Sequence, residues 1–245
     1  MAVDSLEPCA LVTGAARRLG RAIAADLARN RWRVGIHFQA SEAEALSLVA
    51  EIEAFGGRAA AFQADLAELS ALPALIDNCA ETLGPVSCLV NNAAGFVWDW
   101  PDKFDETGWS AHHDVNLRAP VFLTKAFANA LPAGLDGNVI NLIDQKVHAL
   151  NPHYFTYTLA KSALWTATRT MAQALAPKIR VNAIAPGPVL PFAGQSAEDF
   201  ERECDDTLLK RPVPLSDITG AVRFLLETGS VTGQMIALDG GRHLN

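Results

Sequence analysis

The sequence predicts a doubly wound α/β fold in a single domain. Short apolar runs of strand length alternate with segments of helical periodicity along all 245 residues. Strict alternation of strand and helix predicts right-handed βαβ crossovers, and hence a central parallel sheet with helices on both faces. Half of the residues are hydrophobic, which is enough for one large core. No repeat or low-complexity linker divides the chain, so we expect one domain over residues 1–245.

Seven strands and six long helices follow from the hydrophobic pattern. The predicted strands are 9–12, 34–38, 59–63, 88–91, 139–143, 179–185 and 234–238. The predicted helices are 19–30, 41–55, 69–83, 109–131, 155–176 and 216–227. The helix 155–176 is apolar nearly all round, so it should be covered by the sheet on one side and by a second subunit on another.

Composition limits the partners of this chain. Its formal net charge of −7 argues against a nucleic-acid or anionic-membrane binder, because both need clustered positive charge. No stretch approaches the ~18 apolar residues of a membrane span. Four cysteines lack the spacing of a zinc site and are expected to be free thiols; they are Cys9, Cys79, Cys88 and Cys204. We expect a cytoplasmic protein with a small-molecule substrate and no metal.

The segment 186–214 is the one irregular region. It holds five prolines, two glycines and a cluster of acidic residues. One interpretation is a substrate lid with a short exposed helix, since long loops in compact domains are often functional. The other is a solvated acidic loop with no catalytic role. The pattern alone does not choose between them.

Tyr157 and Lys161 form the first candidate chemical pair. Residues four apart on a helix lie on one face, so the phenol and the ammonium should reach the same pocket. A nearby cation favours phenolate and should lower the tyrosine pKa, which makes the phenol a usable acid or base. The alternative is an ordinary pair on a solvated helix face.

A glycine-bearing turn follows the first strand, in the run Thr13-Gly-Ala-Ala-Arg-Arg-Leu-Gly20. Such a turn lets the backbone approach a pyrophosphate, while the next helix points its N–H groups and positive dipole end at the anion. A dinucleotide site is one explanation. A tight turn between strand and helix with no ligand is the other, because only two glycines are present.

Further motifs occur in a fixed order along the chain: Asn-Asn-Ala-Ala-Gly at 91–95, Asn116, Tyr-x3-Lys at 157–161, Pro-Gly at 186–187 and Asp-Gly-Gly at 239–241. With the glycine turn, this order resembles the short-chain dehydrogenases/reductases over essentially the whole chain. Within that family the sequence looks most like the pteridine reductase and dihydromonapterin reductase branch. Arg18 occupies the position where most members of the family have the middle glycine of the turn. Asp144 occupies the position where most members have the catalytic serine.

The resemblance implies a catalytic set in which Tyr157 exchanges a proton, Lys161 binds the nicotinamide ribose and Asn116 holds a proton-relaying water. It also implies an NADP(H) site and a homotetramer. Tyr157 and Lys161 belong to the cofactor site as well. The other residues implied to bind cofactor are Gly14, Arg17, Arg18, Leu19, Gly20, His37, Ser41, Asp65, Leu66, Asn92, Ala93, Gly187 and Val189.

The choice of NADPH over NADH has a physical argument. An NAD site places an acid after the second strand for the ribose 2′-hydroxyl, and that acid would repel a 2′-phosphate. No acid follows this strand before Glu42. Arg17 or Arg18, with the Ser41 hydroxyl and His37, could hold the phosphate instead.

Asp144 distinguishes between substrates. An ionised carboxylate accepts hydrogen bonds only, and it would repel the negative charge that develops on a ketone oxygen. A C=N substrate with N–H groups suits it better, so a dihydropterin or dihydrofolate is expected. The resemblance places Phe96 against the flat ring. Two alternatives stay open: a 3-oxoacyl or other ketone reductase, and a non-catalytic NADPH-binding sensor or scaffold. For Asp144 itself, the alternative is that the side chain only caps the end of a strand and has no chemical role.

Overall fold

A computed structural model describes residues 7–192 and 194–245. All seven predicted strands are present, and each pairs in parallel with its neighbours. They are β1 (Cys9–Val12), β2 (Arg33–Phe38), β3 (Ala59–Gln63), β4 (Val86–Asn91), β5 (Gly137–Leu142), β6 (Ile179–Pro186) and β7 (Met235–Leu238). Their order in the sheet is β3-β2-β1-β4-β5-β6-β7. The predicted doubly wound α/β class is confirmed.

Eight α-helices lie between or beside the strands. They are α1 (Arg18–Arg29), α2 (Glu42–Ala54), α3 (Ala71–Leu83), α4 (Glu106–His113), α5 (Ala119–Ala130), α6 (Phe155–Leu175), α7 (Ala197–Asp205) and α8 (Leu215–Glu227). None of them, within the described parts of the chain, is long and apolar enough to span a bilayer. The helix α7 is the short helix expected inside the segment 186–214, and Ser196 caps it by accepting the Asp199 N–H at 3.1 Å.

Each face of the sheet has its own core. Helices α1, α2 and α8 cover one face through side chains such as Ile23, Leu48 and Ile218. Helices α3, α5 and α6 cover the other, where Leu72 and Phe127 are fully buried. Burial on both faces explains why the strands read as continuous apolar runs. The four cysteines are buried and free.

The predicted helix 109–131 is interrupted in the structure. A π-helical turn, Asp114–Arg118, separates α4 from α5. Such a turn inserts one extra residue per turn and commonly marks a functional site. Hydrophobic periodicity over more than twenty residues does not show a single inserted residue, so the sequence pattern missed it.

The strand order reverses between β1 and β4. Because β1 leads to β2 on one side and β4 to β5 on the other, the loops after these two strands diverge and leave a crevice at their carboxyl ends. The turn after β1 and the Asn-Asn-Ala-Ala-Gly run after β4 both lie there. This position fixes where the site is built.

Candidate active site

A cavity of about 660 Å³ occupies the crevice at the carboxyl ends of the strands. Every residue that the sequence assigned to the cofactor lines it. Of the predicted catalytic residues, Asp144, Tyr157 and Lys161 line it as well. Asn116 does not, and it is fully buried behind the cavity wall.

The turn after β1 is held close to the start of the loop after β4. The Thr13 hydroxyl accepts the N–H groups of Asn92 at 2.9 Å and Ala93 at 3.0 Å. The Asn92 amide donates back to the carbonyls of Thr13 and Gly14. Gly14 has a φ of +60°, which favours glycine. The first turn of α1 then presents backbone N–H groups that have no partner inside the helix.

Gly20 is required by close packing rather than by its backbone angle. A Cβ atom added there would lie 2.4 Å from the Gly14 carbonyl oxygen and 2.5 Å from Nδ2 of Asn92. Gly20→Ala is therefore expected to push the turn apart, to lower stability by roughly 1–3 kcal/mol and to weaken cofactor binding. Thermal unfolding with and without NADPH tests this. Gly229→Ala is the control, because its added methyl group meets nothing within 4 Å; equal melting temperatures for the two variants would contradict the packing argument.

His37 lines the cavity, but it does not act as a cation there. Its Nδ1 accepts the Gly14 N–H at 3.0 Å, and its Nε2 lies 3.1 Å from the Ala64 carbonyl. Burial lowers the pKa of His37 to about 4, so the ring is neutral at physiological pH. A neutral ring adds no positive charge to a phosphate site, and the expected contribution of His37 to holding the phosphate stays a prediction. The ring ties the glycine turn to the end of β3.

The two arginines of the turn have different surroundings. Arg17 is exposed and lies 3.7 Å from Glu44. Arg18 has a φ of +55°, a left-handed conformation that costs a non-glycine residue about 1–2 kcal/mol. Its guanidinium donates to the carbonyls of Leu190 at 3.1 Å and Pro191 at 2.6 Å. Arg18 thus joins the turn to the segment 186–214.

Asp144 uses its two carboxylate oxygens for two contacts. Oδ1 accepts the Lys146 N–H at 2.8 Å and so caps a short 3-10 helix, Gln145–Val147. Oδ2 accepts the Tyr157 hydroxyl at 3.0 Å. The cap suggested by the strand-end interpretation is real, yet the second oxygen faces the predicted acid/base residue. Desolvation raises the pKa of Asp144, while the hydrogen bonds from Lys146 and Tyr157 oppose that shift.

Lys161 is buried beside the tyrosine. Its Nζ donates to the Leu142 carbonyl at 2.7 Å and lies 5.7 Å from the centroid of the Tyr157 ring. Burial lowers the pKa of Lys161 to about 8, with the charge of Asp144 acting in the opposite direction. The ammonium is therefore still largely protonated at pH 7.

The expected acidic phenol is not what the structure gives. The pKa of Tyr157 lies well above its ordinary value, because the ring is buried and because the Asp144 carboxylate both repels a phenolate and accepts the phenol proton. Helix spacing correctly placed Lys161 near the ring, but it did not show that burial and the Asp144 carboxylate both raise the pKa of the phenol. At neutral pH the phenol keeps its proton and can only donate it.

Asn116 lies in the π-helical turn and binds the loop after β4. Its Oδ1 accepts the Gly95 N–H at 3.0 Å, and its Nδ2 donates to the Gly95 carbonyl at 2.9 Å. This amide therefore fixes the residue that precedes Phe96. The water relay that the resemblance assigns to Asn116 stays a prediction.

Aromatic side chains from three segments surround the outer part of the site. Phe96 stacks on Tyr154 with ring centroids 4.1 Å apart, meets Tyr157 edge-on at 4.9 Å and meets Phe192 at 5.5 Å. A second cavity of about 570 Å³ begins here and shares Phe96, Asp144 and Phe192 with the first. Sequence reasoning found Phe96 but missed Tyr154 and Phe192. Their only signals were an aromatic one turn before Tyr157 and another among the prolines after β6.

Comparison with known proteins gives the family. Residues 14–243 match the family model described as enoyl-(acyl carrier protein) reductase. Relatives that are similar over most of their length carry the names of oxidoreductases or reductases. The chain belongs to the short-chain dehydrogenase/reductase family. One such relative is a 3-oxoacyl-[acyl-carrier-protein] reductase of Synechocystis, which is 31% identical over 95% of this chain and 95% of its own.

Two solved structures resemble this short-chain dehydrogenase/reductase more strongly. FolM alternative dihydrofolate reductase 1 from Brucella canis, complexed with NADP, is 47% identical over 98% of this chain and 95% of its own, with a TM-score of 0.95. The Brucella suis protein, also complexed with NADP, is 48% identical over 98% and 96%, with the same TM-score. The predicted likeness to the pteridine reductase branch is confirmed.

Proposed function

We propose that this enzyme is an NADPH-dependent reductase that acts on the C=N bond of a pterin-like substrate, a dihydropterin or dihydrofolate, with Tyr157 as the proton donor. One observation carries the proposal. The Tyr157 hydroxyl, which must deliver the proton, donates to Oδ2 of Asp144 at 3.0 Å. Similarity to two proteins named alternative dihydrofolate reductase supports the same substrate class.

The Asp144 carboxylate decides between oxygen and nitrogen in the substrate. Reduction of a ketone places negative charge on an oxygen, and a carboxylate at this distance from the proton donor would raise the energy of that charge. A ring nitrogen that receives a proton ends as an N–H group, for which a carboxylate is a good acceptor. The aromatic surface of Phe96 suits a flat ring.

The residues of this chain supply position and a proton. NADPH supplies the hydride when it is bound. Tyr157, kept protonated by burial and by Asp144, gives its proton to the nitrogen that becomes basic as hydride arrives. The Lys161 ammonium beside the ring stabilises the phenolate that remains. Proton return to Tyr157 from solvent completes the cycle.

The residues of the cavity fit an NADP(H) molecule. The glycine turn and the first turn of α1 suit a pyrophosphate, and Asp65 and Leu66 line the cavity after β3, where the adenine is expected. The Ser41 hydroxyl at the start of α2 makes no cap hydrogen bond, and both Ser41 and Arg17 line the cavity. We assign the 2′-phosphate to these two residues. Gly187 and Val189 are assigned to the nicotinamide end.

The charge of Lys161 predicts a pH dependence. The ammonium is needed to stabilise the phenolate, and its pKa is about 8 in the folded protein. kcat/KM is therefore expected to be flat near pH 7 and to fall about tenfold per unit well above pH 8. In Lys161→Arg the guanidinium stays charged, so the alkaline fall should disappear although the overall rate is lower. The same alkaline limb in both enzymes would assign it to another group.

Steady-state assays separate the candidate functions. We expect turnover of dihydrobiopterin, dihydromonapterin or dihydrofolate with NADPH, and a much lower kcat/KM with NADH. The second candidate, a 3-oxoacyl reductase, is favoured by the names of relatives such as the Synechocystis enzyme, and acetoacetyl thioesters test it. A non-catalytic NADPH-binding protein would turn over none of these substrates. Turnover of the thioester alone would overturn the proposal.

We also propose a cytoplasmic homotetramer. Leu159 is exposed on α6, the helix for which the sequence predicted a subunit contact. The exposed apolar side chains of Phe104, in the loop before α4, and Trp109, on α4, extend the apolar surface available to a partner. Sedimentation at micromolar concentration tests the assembly.

The described residues contain no cluster of three or more His, Cys, Asp or Glu side chains that could hold a metal ion.

A further inference from the structure

We propose that Asp99, Thr156 and His112 form a buried hydrogen-bonded chain that fixes the substrate-side loop, residues 95–99, to the first turn of α6. These three are positioning residues, since they act through Phe96 and Tyr157 rather than on the substrate. Their expected effect on substrate binding rests on the proposed function. Their expected effect on the loop does not.

Asp99 anchors the start of α6. Its carboxylate accepts the Thr156 N–H at 3.3 and 3.2 Å on its two oxygens, and it also accepts the Thr156 hydroxyl. Its backbone carbonyl accepts the Tyr154 N–H at 3.1 Å. A carboxylate at a helix N-terminus is stabilised by the unpaired N–H groups and by the helix dipole. Asp99 thus connects the loop to the residue directly before Tyr157.

His112 extends the chain from α4 back to the same loop. Its Nε2 accepts the Val97 N–H at 2.9 Å, and its Nδ1 lies 2.6 Å from the Thr156 hydroxyl. Because a backbone N–H can only donate, Nε2 must be the bare nitrogen and Nδ1 must carry the proton. The chain then runs one way, from Val97 through His112 and Thr156 to Asp99, and every donor meets an acceptor.

The hydrogen-bonded chain of Asp99, Thr156 and His112 is almost fully removed from solvent. His112 and Thr156 are 0% exposed, and Asp99 is 6% exposed. Burial lowers the pKa of His112, against the opposing charge of Asp99 and with a smaller contribution from His113. The ring also meets the edge of Tyr157, with centroids 5.9 Å apart. A neutral ring agrees with the direction of the chain, because a proton on Nε2 would face the Val97 N–H.

The chain holds both walls of the substrate site. Phe96 lies between Gly95, which Asn116 binds, and Val97, which His112 binds. The backbone of Phe96 is therefore held on both sides, and it cannot move without breaking one of the two hydrogen bonds. Tyr157 follows Thr156, so the proton donor and the aromatic wall are tied to one network. Satisfied buried polar networks fix a single geometry, and partly satisfied ones are costly.

The decisive variant is Thr156→Val, which keeps the side-chain shape and removes the hydroxyl at the centre of the chain. In the free enzyme we expect hydrogen exchange of the segment 95–99 to speed up by about tenfold, because the loop loses buried contacts. Thr156→Ser restores the hydroxyl and should restore protection. Thr124→Val is the matched control, since this buried hydroxyl bonds only within α5.

Kinetics give the second measurement. Thr156→Val should raise KM for the dihydropterin about tenfold and also lower kcat, because the substrate wall and the Tyr157 proton donor are both loosened. KM for NADPH should change less than about threefold, because the cofactor turn is not part of the network. His112→Phe should act in the same way if Thr156→Val folds poorly. Wild-type protection of residues 95–99 in both variants would overturn the inference. Wild-type enzyme that reduces no pterin would instead overturn the proposed function, while the exchange measurement still decides the chain.

Discussion

Tyr157→Phe is expected to lower kcat by two to four orders of magnitude, which is the usual contribution of a positioned acid or base. The phenyl ring preserves the packing against Phe96, while the hydroxyl proton that Tyr157 donates to Asp144 is lost. Single-turnover rates with saturating NADPH and dihydropterin measure the effect. The dissociation constant for NADPH should change less than about threefold, because the cavity keeps its shape.

The control for Tyr157 is the neighbouring aromatic residue Tyr154. Its ring stacks on Phe96, but no hydroxyl contact to Asp144 is formed, so Tyr154→Phe keeps the stack and should retain most of the rate. Equal losses in the two variants would point to a general disturbance of the aromatic cluster. An unchanged rate in Tyr157→Phe would remove this phenol from the mechanism.

Asp144→Ser is expected to reverse the preference for nitrogen substrates. The hydroxyl can donate to a carbonyl oxygen, and it removes the charge that repels a developing alkoxide. We expect kcat/KM for the dihydropterin to fall about 100-fold and turnover of an acetoacetyl thioester to increase from its wild-type level. Parallel assays of both substrates with NADPH provide the measurement.

Asp144→Asn separates charge from shape at the same position. The single amide oxygen can still accept the Lys146 N–H, while the NH2 group would face the Tyr157 hydroxyl, whose oxygen can turn to accept it, so the local structure should persist. If charge is the reason for the preference, Asn should lose pterin turnover almost as severely as Ser. Full pterin activity in Asp144→Asn would show that geometry, and not the carboxylate charge, selects the substrate.

The sequence predicted the fold because its signals were local and repeated. The inner strands are apolar runs buried on both faces. The glycine turn, the Asn-Asn-Ala-Ala-Gly run and the Tyr-x3-Lys pair all follow a strand or open a helix. Those positions converge at the carboxyl ends of the parallel strands, and the cavity lies there. Even the short helix α7 was expected within the segment 186–214.

The parts that were not predicted depend on contacts between distant segments. His37 is neutral because the ring is buried, and only the tertiary structure shows this burial and the use of both ring nitrogens. The direction of the Tyr157 pKa depends on burial and on a carboxylate thirteen residues away. The stack of Phe96 on Tyr154 joins two loops that no periodicity relates.

A crystal structure with NADPH and a dihydropterin bound would show directly whether the substrate nitrogen meets Tyr157 and Asp144. We expect the flat ring to lie between Phe96 and the nicotinamide, with a ring nitrogen within hydrogen-bond distance of the Tyr157 hydroxyl and an N–H group donating to Asp144. A pterin bound elsewhere, or one that places no nitrogen near these two side chains, would contradict it.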